Sequence, residues 1–100
     1  MIIVAGTVRI PADRMDEIRD VARATLETTR KEDGCIVYSY AFDVIDPGLL
    51  RIYEQWESRG HLDAHGKQPH MDPWRGKMKE VGASERSIHS YEAGEGIPVG

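Results

Sequence analysis

The stretch Cys35–Val44 is apolar on both sides of a strand, and that excludes most ways of burying it. Side chains alternate across a strand, so Ile36, Tyr38, Tyr40 and Phe42 form a large apolar row, while Cys35, Val37, Ser39 and Ala41 form a small, mostly apolar row opposite. The segment Ile2–Ile10 is rich in β-branched residues, stops at Pro11, and is built the same way, with Ile2, Val4 and Val8 against Ile3 and Ala5. An antiparallel sheet with one wet face alternates apolar with polar residues. These strands do not, so both faces are expected to be covered. Helices of the same chain can cover one; in a chain this short, a second copy is expected on the other, making a homodimer.

The remaining elements follow from periodicity and punctuation. Met15, Ile18, Ala22 and Leu26 recur at helical spacing between about Asp13 and Arg30. Asp13, Asp16 and Glu17 sit near the positive end of that helix, and Arg30 and Lys31 near the negative end. Gly34 serves as its cap or turn residue. Asp46-Pro47-Gly48 is a turn, so Cys35–Val44 and Leu49–Glu57 read as an antiparallel hairpin. A short helix over Arg59–His65 comes next, followed by a loop from Gly66 to His70 broken by Pro69. Asp72-Pro73 opens a helix whose apolar stripe is Met71, Trp74, Met78 and Val81 and which stops at Gly82. Glu85–Glu92 reads as a fourth strand. Gly94–Gly100 holds three glycines and a proline, which predicts a loose tail after a domain spanning residues 1–93. The order β-α-β-β-α-β with right-handed crossovers gives an α+β, ferredoxin-like sandwich on a four-stranded antiparallel sheet.

One hundred residues support one core and no second domain. Thirteen Lys and Arg against seventeen Asp and Glu give a net charge of −4. The basic residues are scattered, so no footprint for nucleic acid or an anionic membrane is expected. A small neutral or weakly acidic organic partner fits better. Cys35 is the only cysteine, which forbids an intrachain disulfide and agrees with a reducing cytoplasm; it reads as a small buried hydrophobe. The first eight residues lack a basic leader region, and their apolar run is too short to cross a bilayer.

Chemistry gathers at Arg51-Ile-Tyr-Glu-Gln-Trp-Glu-Ser-Arg-Gly-His-Leu-Asp-Ala-His65, where an alternating strand runs into the short helix. At about 100° per residue, and with Leu62 pointing inward, His65 lies roughly 60° away and His61 roughly 40° beyond it. His65 therefore borders the apolar side. A histidine there can take a proton from a bound ligand, or simply hydrogen-bond a neighbour. Glu54 shares the inward side with Ile52 and Trp56 and needs a partner, for which Arg9, Arg51 and a backbone amide are available. His61 and His65 have the i, i+4 spacing of a two-histidine metal face. With no third ligand fixed and His61 turned outward, no metal is expected.

Lys31-Glu-Asp-Gly-Cys-Ile-Val-Tyr38, Tyr53-Glu-Gln-Trp-Glu-Ser58 and Leu62-Asp-Ala-His65 together resemble the antibiotic biosynthesis monooxygenase-like family of dimeric α/β-barrel proteins, in order and spacing over roughly residues 2 to 92. The resemblance implies a cofactor-independent oxygenase that uses O₂ on a quinol or polyketide-type aromatic. On that reading His65 is the base or orients the substrate hydroxyl, and Trp56, Tyr38, Tyr40, Phe42 and Trp74 are candidate pocket walls. Glu54 orients His65 or binds a hydroxyl. Haem-cleaving members use an asparagine on the first strand, where this chain has Val4-Ala5-Gly6-Thr7-Val8. An isomerase of a small sugar-like substrate needs a polar pocket, and the candidate lining here is mostly aromatic. A non-catalytic dimeric module that binds a small aromatic would use the same fold.

Overall fold

The computed structural model describes residues 1–100. Four strands, β1 (Ile2–Arg9), β2 (Cys35–Phe42), β3 (Leu49–Trp56) and β4 (Ser84–Glu92), form one antiparallel sheet in the order β2-β3-β1-β4. The helices are α1 (Arg19–Thr29), α2 (Arg59–Gly66) and α3 (Asp72–Val81), with 3₁₀ segments over Ala12–Ile18 and Pro69–Met71. This is the expected ferredoxin-like α+β arrangement.

Register explains which side chains meet. Tyr38, Glu54, Val4 and Ser90 lie in one cross-sheet row; Tyr40, Ile52, Gly6 and Ile88 lie in the next, on the same face. From this face Val8, Leu50 and Ile52 join Met15, Ile18, Met71, Trp74 and Val81 of the helical segments in a single core. A second cluster of Ile2, Val4, Tyr38 and Trp56 packs with Leu26, Cys35 and Leu62. Each buried aliphatic or aromatic side chain of this kind contributes about 1.5–3 kcal/mol.

Local differences from the sequence reading have physical causes. The first helix begins as a 3₁₀ segment; at three residues per turn Met15 and Ile18 eclipse, so both reach the core. Strand β2 ends at Phe42, two residues before the expected Val44. Asp43 ends it by accepting hydrogen bonds from the backbone N–H groups of Ile45 and Asp46, which leaves Val44 and Ile45 exposed at the turn. A bulge between Cys35 and Val37 breaks the strict alternation, placing Cys35 opposite Trp56 and turning Ile36 outward at 50% exposure. Pro69 opens a 3₁₀ turn that runs straight into α3 instead of breaking a loop. Gly82 stops α3 in the left-handed region, as expected. Residues 94–100 carry no helix or strand and are exposed, and Ala93 is paired with Met1 through two hydrogen bonds.

The molecule is 20 Å deep along its shortest axis, the depth of one sheet and one helix layer at about 10 Å each. The opposite sheet face carries Val37, Gln55, Ile3 and Tyr91 in one row and Ser39, Tyr53, Ala5 and His89 in the next. Tyr53 and Tyr91 are 38% and 54% exposed there. No helix is long and apolar enough to cross a membrane.

Candidate functional site

A cavity of about 520 Å³ opens between the sheet and the α2–α3 side of the molecule. Its apolar walls include Val4, Val8, Tyr38, Tyr40, Ile52 and Trp74, and its polar groups include Glu54, His65, Arg75 and Arg86. The volume and the mixture suit a small organic ligand fixed by a few polar contacts.

His65 stands at one wall because of how α2 begins. Ser58 caps the helix by accepting the backbone N–H of His61. The last turn then delivers His65 against the sheet, where it is only 5% exposed. Its ring lies 4.8 Å from Trp56 and 5.1 Å from Tyr38, centroid to centroid. Nδ1 is 2.7 Å from Oε2 of Glu32, a side chain that the α1–β2 loop turns inward. Every sealed polar side-chain atom in the molecule has a partner. Nε2 of His65 makes no hydrogen bond to protein, so it is the ring atom open to the cavity. A carboxylate on Nδ1 favours the tautomer that leaves Nε2 unprotonated.

The remaining polar groups are tuned by burial. Tyr38 and Tyr40 share a hydroxyl–hydroxyl hydrogen bond of 2.8 Å. Burial pushes both phenols well above their ordinary value, with Glu54 adding to the effect. They are hydroxyl donors at neutral pH and cannot act as bases. Glu54 accepts the indole N–H of Trp56 at 2.9 Å rather than pairing with an arginine. Arg9 is engaged by Asp46 and Glu85, and Arg51 by Asp43. Burial raises the Glu54 carboxyl above the usual range; the indole bond and the charge of Arg86 pull it back.

The structure brings His65, Glu54, Tyr38, Tyr40 and Trp74 to one cavity, with the Tyr40 and Trp74 rings 4.7 Å apart. Two of the aromatic candidates lie elsewhere. Trp56 is fully buried behind the wall, touching His65 and Glu54 rather than lining the cavity. Phe42 lines a separate shallow groove beside α1, under the guanidinium of Arg19. His65 is not teamed with His61, which binds Ser58 and lies near Asp33. Its neighbours are Glu32 and His70, and the ligand atoms of these three side chains all lie within 4.8 Å of one another. Sequence reasoning gave no role to Glu32, His70, Arg75 or Arg86. The one available signal was the acidic pair before Gly34.

The sequence profile of the family described as "Antibiotic biosynthesis monooxygenase" matches residues 1–77. A protein from Deinococcus radiodurans, described as a candidate antibiotic biosynthesis monooxygenase, superposes with a TM-score of 0.90 at 30% identity, covering 99% of this chain and 98% of that one. "Uncharacterized protein sll1783" of Synechocystis is 29% identical over 94 residues, which are 94% of this chain and 64% of the relative. "Probable quinol monooxygenase YgiN" of Escherichia coli is 35% identical over 60 residues, covering 52% of this chain and 58% of that protein. The chain thus spans somewhat under two thirds of the length of these two relatives. With the profile covering more than half the chain and a structural neighbour matching nearly all of it, the protein belongs to the antibiotic biosynthesis monooxygenase family.

Proposed function

We propose that the protein is a cofactor-independent monooxygenase of a quinol or polyketide-type aromatic, with His65 as its general base. The observation that carries this reading is the pairing of His65 Nδ1 with Glu32, which leaves Nε2 facing a cavity walled by Tyr38, Tyr40 and Trp74. A flat ring packs against such walls. Its acidic O–H or C–H gives its proton to Nε2, and Glu32 stabilises the imidazolium that forms. The resulting anion is rich enough in electrons to pass one to O₂. Recombination of the two radicals forms a C–O bond to a peroxide. Loss of water then leaves C=O at that carbon, so that with O₂ an anthrone CH₂ becomes the ketone and a quinol ring C–H becomes the hydroxyquinone, with one H₂O released in each case. Arg86 and Arg75 at the cavity supply positive charge for the anion. Tyr38 and Tyr40 are held neutral by burial, and since one proton bridges their two hydroxyls, the other is the one left to donate to its oxygens.

The working unit in this proposal is a homodimer. Its support is the sheet face carrying Ile3, Val37, Tyr53 and Tyr91, which no part of the chain covers.

The test is O₂ consumption with a panel of hydroquinones and anthrones. Uptake above the uncatalysed rate is expected. His65→Gln should lower it by at least about 100-fold with an unchanged circular dichroism spectrum. Stabilisation by these ligands without any O₂ uptake would replace the oxygenase with a binding module.

A further inference from the structure

We propose that Glu32, His65 and His70 form a binding site for one divalent transition-metal cation, with zinc-like preference for two imidazole nitrogens and one carboxylate oxygen. The three residues come from separate segments: the α1–β2 loop, the last turn of α2 and the 3₁₀ turn before α3. Both ring nitrogens converge on the same oxygen. His65 Nδ1 is 2.7 Å and His70 Nε2 is 3.3 Å from Oε2 of Glu32, and the whole donor set fits within 4.8 Å. Ligands about 2.0–2.2 Å from a tetrahedral ion sit roughly 3.3 Å apart, so small side-chain movements open this cluster around a cation.

The electrostatics also ask for one. Glu32 is only 12% exposed, and a carboxylate taken out of water needs a compensating cation. The partly shielded carboxylates of the β2–β3 turn have an arginine each: Arg51 on Asp43 and Arg9 on Asp46. Glu32 has only two histidines, neither of which carries a permanent charge. A dication would supply the permanent positive charge that two imidazoles and a carboxylate lack. The Thr29 hydroxyl, 2.9 Å from His70 Nε2, is an oxygen at the edge of the site. His70 is 19% exposed and gives the ion a way in from solvent. A donor set of two histidines and one carboxylate with room for water suits Zn²⁺, Fe²⁺ or Co²⁺ rather than Mg²⁺ or Ca²⁺, which prefer all-oxygen shells.

Occupancy has a consequence that rests on the oxygenase reading. A cation on Nδ1 of His65 places the proton on Nε2, turning the proposed base into a donor, so a loaded site and proton abstraction exclude each other. Binding itself does not depend on that reading.

The test uses the full chain, stripped with chelator and titrated with Co²⁺, followed by its visible ligand-field absorption and by calorimetry. One ion per chain is expected, displaced by an equivalent of Zn²⁺. His70→Gln and Glu32→Gln, with folding verified by circular dichroism, should each weaken binding by more than about 100-fold, beyond the cost of losing an outer-sphere partner. His61→Gln should leave it unchanged. Absence of Co²⁺ bands in the wild-type protein, or bands that survive His70→Gln but vanish in His61→Gln, would overturn the assignment. Neither result bears on whether the metal-free protein consumes O₂.

Discussion

Glu54 is 7% exposed at the cavity wall, with a single indole N–H as its donor. Burial makes its carboxyl hold a proton to higher pH in the folded protein than in the unfolded chain. The stability linked to that proton is fully present below the usual value of 4.5 and is lost as pH rises through the elevated folded value. Glu54→Gln keeps an acceptor for the indole but cannot ionise, so it escapes the loss. Its melting temperature relative to wild type should climb between pH 4 and pH 8, measured by calorimetry; a difference constant across that range would mean the carboxylate is well solvated. At this scale the sequence was half legible. Strict alternation along Ile52, Glu54 and Trp56 placed Glu54 inward, but three candidate partners were indistinguishable, and the indole two residues away took the bond. His70 gave no local sign of its role and Glu32 only its place in the acidic pair before Gly34, because their importance lies in contacts 33 and 38 residues apart in the chain.

Elements were legible wherever periodicity was undisturbed. The sheet's parity, the α3 stripe and the Gly82 stop all followed from spacing. The bulge at Ile36 did not, because Cys35, Ile36 and Val37 all suit a strand and nothing in their identity marks an extra residue. Gly6 has a comparable hidden meaning. A Cβ there would lie 2.0 Å from the backbone carbonyl oxygen of Ser87 and 2.6 Å from Cα of Ile88, so only glycine lets β4 lie against β1. Gly6→Ala should therefore prise β4 from the sheet, with a loss of about 2 kcal/mol or more in urea unfolding. A neutral effect would mean that β4 shifts freely. Because β4 supplies Arg86, Ile88 and Ser90 to the cavity, ligand affinity should fall with it.

At the scale of the molecule, a single helix layer leaves the other sheet face with Tyr53 at its centre, between Ser39 and Ala5 in its row. If a second copy covers that face, Tyr53→Arg places two guanidinium groups in an apolar contact. Light scattering at micromolar concentration should then give the mass of a dimer for the wild type and of one 11.3 kDa chain for the variant. A monomeric wild type would remove the dimer from the proposal. The family was legible from three motifs spread over the chain, whereas the substrate was not. The cavity walls come from the sheet, α2 and α3 together, and their spacing exists only after folding.

That assembly from distant segments has a practical corollary. The unfolded chain has no pocket and no converged histidines, so whatever occupies either feature binds one state alone. A compound or ion present at about a hundred times its dissociation constant should add roughly 2.7 kcal/mol to the folded form. Melting curves across a library of aromatics and salts are therefore a direct way to find what this protein holds.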